Sequence, residues 1–98
     1  MDKIFSNAIV KYGVHNQCIV AVEEFSELQK EICKALRGQL NRDNMIEEMA
    51  DCWIMTEQLK MMFNITDADV QKAVWSKTAR LKERLNEYER EGISGLHR

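Results

Sequence analysis

Two pairs of acidic residues carry the most specific chemical signal in this sequence. Glu24 and Glu27 are three residues apart, and Glu48 and Asp51 repeat that spacing further along the chain. If both segments are helical, residues three apart face the same way. Each pair would then present two carboxylates to one point in space.

The neighbours of these acids indicate that the acids do not lie on a solvated helix face. On a helical wheel, Glu24 falls between Val20 and Leu28, and Glu48 falls beside Met45, while the second acid of each pair lies at the edge of the apolar arc. Burying an unpaired carboxylate is costly, and a shared divalent cation would offset that cost. The alternative is that the acids form buried salt bridges or a polar subunit interface.

The donor atoms favour a hard cation. An all-oxygen ligand set predicts Mg²⁺, with Mn²⁺ as the alternative, rather than zinc or copper. Neither His15 nor His97 is spaced with the carboxylates, so the Glu-x-x-His motif of a di-iron site is absent.

Three basic residues follow in the last predicted helix. Lys77 lies on its apolar stripe, Arg84 lies on the same side, and Arg80 lies at the margin. These cations either neutralise the buried acids or bind substrate phosphates. An acidic metal site next to cations favours phosphate-ester or phosphoanhydride chemistry, because metal ions clamp phosphates and lower the pKa of a bound water. The sequence has no glycine-rich phosphate loop, which excludes a P-loop mechanism.

The elements that must position these residues are all predicted to be helical. Proline is absent, and apolar residues recur at spacings of three and four. The pattern predicts an all-α fold whose helices span 4–12, 16–37, from 41–44 to 63–64, and about 67–91. Gly13 is expected to end the first helix in the left-handed conformation, and Thr66-x-x-Asp69 predicts a capping box. The third helix has a wide apolar side, for which a second subunit is one candidate cover.

Length and composition narrow the class of protein. The 98 residues suit a single domain over 1–98, with 91–98 predicted to be a mobile tail. Lys and Arg total 14 against 16 for Asp and Glu. The chain therefore lacks the basic excess that would predict nucleic-acid binding. No apolar run is long enough to span a membrane. The three cysteines, Cys18, Cys33 and Cys52, form no CxxC motif and are predicted to be reduced core thiols, which favours a cytoplasmic location.

The two acidic motifs also carry a family resemblance. Glu24-x-x-Glu27-Leu28, followed by Glu48-x-x-Asp51 and Lys77, resembles the signature of the MazG-like all-alpha NTP pyrophosphatase superfamily. The resemblance implies a four-helix MazG-like bundle completed by homo-oligomerisation, as a homodimer or homotetramer. It also implies hydrolysis of a nucleoside triphosphate between the α and β phosphates, giving the monophosphate and pyrophosphate.

The same resemblance assigns expected roles to individual residues. It implies that Mg²⁺ is held by four carboxylates, those of Glu24, Glu27, Glu48 and Asp51. A metal-bound water would attack phosphorus, with Glu27 expected to help deprotonate it. Glu31, one turn further along, is expected to serve as an indirect or additional ligand. Lys77 and Arg84, with Arg80 beside them, would contact the substrate phosphates. Family members often carry Asn where this chain has Leu81, and that departure concerns the phosphate or sugar contact.

Two other functions remain open. The same fold could act on dUTP or phosphoribosyl-ATP, both of which are substrates of relatives. Alternatively, the chain is a non-enzymatic helical oligomerisation module whose carboxylates make salt bridges. Trp53 and Trp75 could stack on a base, although tryptophan at helical spacing is more often core or interface.

Overall fold

The structure is a computed structural model that describes residues 1–92, and this range contains four helices and no strand. They are α1 (Asp2–Tyr12), α2 (Val14–Leu36), α3 (Arg42–Met62) and α4 (Asp67–Glu91). The prediction of an all-α fold is therefore confirmed for the described residues. Of the predicted tail, Glu91 ends α4 and Gly92 caps it, while 93–98, with His97, lie outside the described residues.

The chain divides into two compact units, Met1–Ile65 and Thr66–Arg98. In the first unit, α2 packs along α3, and α1 packs against both of them. The second unit contains α4, none of whose residues is buried. The expectation of a single domain over 1–98 stays a prediction.

The core of the first unit is small. Its buried apolar residues are Phe5, Ala21, Cys52 and Met55. The ring of Phe5 meets the ring of Trp53 edge-on, with centroids 6.3 Å apart, and this contact joins α1 to α3. A core of this size leaves many apolar side chains at the surface, as expected for a short chain.

The buried face of α1 differs from the predicted one. The sequence pattern predicts an apolar face made of Ile4, Ala8, Ile9 and Tyr12. In the structure, however, Ile4 is 69% exposed and Tyr12 is 55% exposed. Phe5 takes the buried position, with Ala8 and Ile9 half-buried beside it. The physical reason is that Phe5, Ala8 and Ile9 follow the i, i+3, i+4 spacing of one helix face, and the Phe5 ring can reach Trp53.

The ends of the helices are closed largely by local hydrogen bonds. Gly38, with φ +79°, donates its N–H to the Ala35 carbonyl, and Gln39 donates to Lys34 at 2.9 Å, which is a Schellman motif. Asn41 then caps α3 by accepting the N–H of Asn44 at 3.1 Å. These bonds end α2 and begin α3 within a short connection.

The predicted capping box of α4 is confirmed. The Thr66 hydroxyl accepts the N–H of Asp69, and the Asp69 carboxylate accepts the N–H of Thr66. The predicted left-handed cap at Gly13 is wrong, because its φ of 90° is accompanied by a ψ of 152°. Since α2 begins at the next residue, Gly13 has to redirect the chain rather than close a turn, and this conformation favours glycine.

Candidate metal centre

The packing of α2 along α3 brings three of the predicted ligands together. Glu24 on α2 and Glu48 and Asp51 on α3 each offer one carboxylate oxygen, and these oxygens all lie within 4.8 Å of one another. All three residues are half-buried. The spacing within one helix therefore does place both acids of the second motif at one point, opposite an acid of the first motif.

Small buried side chains flank this group. Ala21 precedes Glu24 by about one turn and is 2% exposed, and Cys52, next to Asp51, is 8% exposed. Small residues at a helix contact let the two backbones approach closely. The Cys52 thiol also donates a hydrogen bond to the backbone carbonyl of Glu24 at 3.4 Å. This bond ties α3 to α2 at the level of the carboxylates.

The environment of Glu24 and Glu48 favours the protonated forms of these two carboxyl groups. Burial is the main cause that raises the pKa of Glu24, followed by a hydrogen bond to Asp51 and by the negative charges around it. Burial also raises the pKa of Glu48, with the charges of Asp51 and Glu27 among the further causes. A hydrogen bond between two carboxyl groups requires a shared proton. A divalent cation would take the place of that proton.

Two buried carboxylate oxygens near the helix contact, one of which belongs to the group of three acids, have no hydrogen-bond partner. Glu48 Oε2 is buried and makes no hydrogen bond, and the same holds for Glu31 Oε1. Buried polar atoms are nearly always paired, so an unpaired carboxylate oxygen calls for an explanation. No salt bridge in the described range joins Glu24, Glu48 or Asp51 to a basic side chain. Carboxylate oxygens that lack a hydrogen-bond or basic partner are suited to a hard divalent cation.

The fourth predicted ligand lies outside this close group. Glu27 is exposed on α2, yet its charge contributes to the raised pKa of both Glu24 and Glu48. It is therefore close enough to act on the group electrostatically. Its assignment as a ligand and as the proton acceptor stays a prediction.

The three predicted phosphate ligands lie on α4, in the second unit. Lys77, Arg80 and Arg84, together with Glu83, line a surface pocket. Their spacing of three and four residues places the cations along one side of the helix. All three are exposed, and their roles as substrate ligands stay predictions.

Two residues of α2 lie in environments that differ from those predicted from the sequence. Gln17 lies at the start of the predicted second helix, where it could hydrogen-bond a base. In the structure it is buried and donates its side-chain N–H to the side-chain oxygen of Gln58 at 2.7 Å. Cys33, predicted to be a core thiol, is exposed. Nine residues separate it from Glu24, so it lies about 180° away on α2. The wheel position of Cys33 relative to Glu24 was the signal that could have shown this.

A comparison with known proteins finds no matching family model, no similar curated protein and no similar solved structure. Within residues 1–92, no helix is both long and apolar enough to cross a membrane.

Proposed function

We propose that this chain is a Mg²⁺-dependent nucleoside triphosphate pyrophosphohydrolase of the MazG-like kind. The observation that carries the proposal is the convergence of Glu24, Glu48 and Asp51 from two helices, with Glu48 Oε2 buried and unpaired. Such a group is costly without a cation and suited to a hard one. The proposed reaction converts a (d)NTP to the (d)NMP and pyrophosphate.

The acidic residues of the first unit would bind the metal ion and accept a proton. Glu24, Glu48 and Asp51 would hold Mg²⁺, or Mn²⁺ in its place, with Glu27 at the exposed edge. When bound, the ion supplies charge for the phosphate oxygens and lowers the pKa of a water. Glu27 would accept the proton of the attacking water as its oxygen bonds to the α phosphorus. The bond from that phosphorus to the bridging oxygen breaks, and pyrophosphate leaves.

The cations of α4 would act on the substrate phosphates. Lys77 offers a compact charge, whereas Arg80 and Arg84 can each bind two phosphate oxygens side by side. Their exposure on α4 keeps them free to exchange solvent for a ligand. Leu81 carries no hydrogen-bonding group, so the contact made by Asn in other family members has no counterpart at that position.

We also propose that a second copy of the chain completes a four-helix bundle, as a homodimer or homotetramer in the cytoplasm. The support is the apolar surface that the described residues leave open, including Trp53 at 49% and Trp75 at 71% exposure. The three cysteines are free, which is typical of a reducing compartment.

The test is product release from a panel of NTPs and dNTPs that includes dUTP and phosphoribosyl-ATP. With Mg²⁺ we expect pyrophosphate and a monophosphate in equal amounts from at least one substrate, and none in EDTA. Release from dUTP or phosphoribosyl-ATP alone would select the alternative substrate.

The non-enzymatic alternative gives a different result in the same assay. The proposed function would be contradicted if the folded protein released no pyrophosphate from any substrate and Mg²⁺ did not change its melting temperature. A salt-bridged oligomerisation module would behave in that way, because ligand binding stabilises only a protein that has the site.

A further inference from the structure

A pair of buried amide side chains joins α2 to α3 away from the carboxylates. Gln17 is 7% exposed and Gln58 is 4% exposed, and the Gln17 side-chain N–H donates to the Gln58 side-chain oxygen at 2.7 Å. The proposed metal function uses neither residue. A buried amide without a hydrogen bond is costly, so this pair favours the one position of α2 along α3 at which the bond forms.

The amide pair and the carboxylates require the same position of the two helices. Glu24 follows Gln17 by seven residues on α2, and Asp51 precedes Gln58 by seven residues on α3. The two helices therefore run antiparallel, and the amide pair lies about two helical turns, or about 10 Å, from the point where Glu24 meets Asp51. The register that forms the amide hydrogen bond also brings these two carboxylates together.

The buried apolar residues midway between these two contacts determine the register only weakly. They are Ala21 on α2 and Met55 on α3. Alanine has no side-chain atom beyond Cβ, and methionine is unbranched and adapts to many packings. A shift by four residues would place Gln17 opposite Ile54 or Met62 and leave both amides without their hydrogen bond. The amide pair therefore distinguishes registers that the apolar residues tolerate.

We propose that Gln17 and Gln58 are positioning residues that set the register of α2 against α3 and thereby assemble the carboxylate group. Buried polar residues fix the register of paired helices in coiled coils in the same way, at some cost in stability. The inference rests on the proposed metal function only for the ion that the carboxylates bind. The register itself is a property of the metal-free chain.

The first test uses the full chain without metal. The double variant Gln17→Met with Gln58→Met removes both amides and keeps the length of the side chains. In NMR spectra, the wild type should show one set of nuclear Overhauser contacts between α2 and α3. The double variant should show doubled or broadened signals from these helices, because several registers are populated. A single set of contacts identical to that of the wild type would overturn the inference.

Urea unfolding distinguishes a positioning role from a purely stabilising one. Replacing both buried partners by apolar groups of similar shape is nearly neutral or stabilising, so the urea midpoint of the double variant should equal or exceed that of the wild type. Gln58→Met alone leaves the Gln17 N–H buried without an acceptor and should have the lowest midpoint. A double variant that is less stable than Gln58→Met, or that does not fold, would overturn the inference.

A Mn²⁺ titration without nucleotide, followed by electron paramagnetic resonance, tests the effect on the carboxylates. The double variant should bind Mn²⁺ at least about threefold more weakly, which is the factor for a site formed in one of three equally populated registers. Gln29→Met is the matched control, since Gln29 is an exposed glutamine on the same helix, and it should bind as the wild type does. Equal affinity in the double variant and the control would contradict the positioning role.

The experiments separate this inference from the proposed function. Several registers in the double variant, together with a wild type that releases no pyrophosphate from any nucleotide, would leave the positioning role standing and remove the enzyme. Mg²⁺-dependent release by a double variant that keeps the wild-type register and affinity would do the reverse.

Discussion

The acidic residues of the first unit and the basic residues of α4 lie in opposite environments. Glu24, Glu48 and Asp51 are half-buried and lack basic partners within the described range, whereas Lys77 and Arg84 are exposed. Burial disfavours the charged forms of Glu24 and Glu48, and a bound cation would offset that effect. The exposed cations keep their hydration and remain able to exchange it for phosphate oxygens. Under the proposed function, the first unit would hold the metal ion and the cations of α4 would bind the substrate phosphates.

The strongest test of this contrast is the loss of Glu48. Glu48→Gln should reduce pyrophosphate release by at least about 100-fold, because even indirect partners of metal ligands contribute 10–100-fold. Steady-state kinetics with saturating Mg²⁺ would measure it. Glu47→Gln, which removes an exposed charge at the next residue, should remain near wild type. Equal activity in the two variants would contradict the assignment of Glu48.

Truncation of an apolar side chain should also have different effects in the two regions. Met55 is 4% exposed in the first unit, so Met55→Ala should lower the free energy of unfolding by about 2–5 kcal/mol. Leu81 on α4 is 49% exposed, so Leu81→Ala should change the free energy of unfolding by no more than about 0.5 kcal/mol. Urea unfolding at several protein concentrations checks both.

The concentration series sharpens that comparison. A larger cost for Leu81→Ala that grows with protein concentration would show that a second copy covers α4. A cost above about 2 kcal/mol that is independent of concentration would contradict the exposed environment described for Leu81.

The start of α4 depends on its capping box. Thr66→Ala removes the hydroxyl that accepts the Asp69 N–H, and should lower the free energy of unfolding by about 1 kcal/mol. Thr66→Ser keeps the hydroxyl and should retain most of the stability. Thermal unfolding followed by circular dichroism measures the difference, and an unchanged midpoint in Thr66→Ala would contradict the role of the cap.

The carboxyl groups of the two regions should respond to pH with opposite signs. The pKa values of Glu24 and Glu48 are raised above their ordinary value of 4.5, mainly by burial, so the folded chain takes up their protons first. Without metal, their contribution to stability grows as the pH falls from neutral through these raised values. Hydrogen bonds from Thr66 lower the pKa of Asp69 below 3.8, so its contribution is lost as the pH falls through that range.

Melting temperatures between pH 3 and pH 7.5, with EDTA and with Mg²⁺, would measure both effects. We expect Mg²⁺ to stabilise the chain most at the upper end, where the ion no longer competes with protons. A double variant, Glu24→Gln with Glu48→Gln, should lose the metal effect. A metal-free midpoint that rises steadily from pH 5 to pH 7.5 would contradict the raised pKa values.

The sequence predicts the helices and the meeting of Glu24 with Glu48 and Asp51 well, because periodic apolar positions and acids inside the apolar arc are local properties. It does not predict that the side chains of Phe5 and Gln17 are buried. Which side chain is buried on α1 depends on the ring of Trp53 from α3, and Gln17 is buried because Gln58 accepts its hydrogen bond. Such pairings join distant parts of the chain, and periodicity within one helix does not contain them.

The short connection between α2 and α3 has a consequence for how the chain tolerates changes in length. Gly38 and Asn41 end one helix and start the next with their own local bonds, so the connection is where an added residue disturbs least. One residue inserted into α3 between Glu48 and Asp51 would instead rotate one acid relative to the other by about 100°. Natural or engineered length variation is therefore expected in the connection, while the count of residues within each acidic motif has to stay constant.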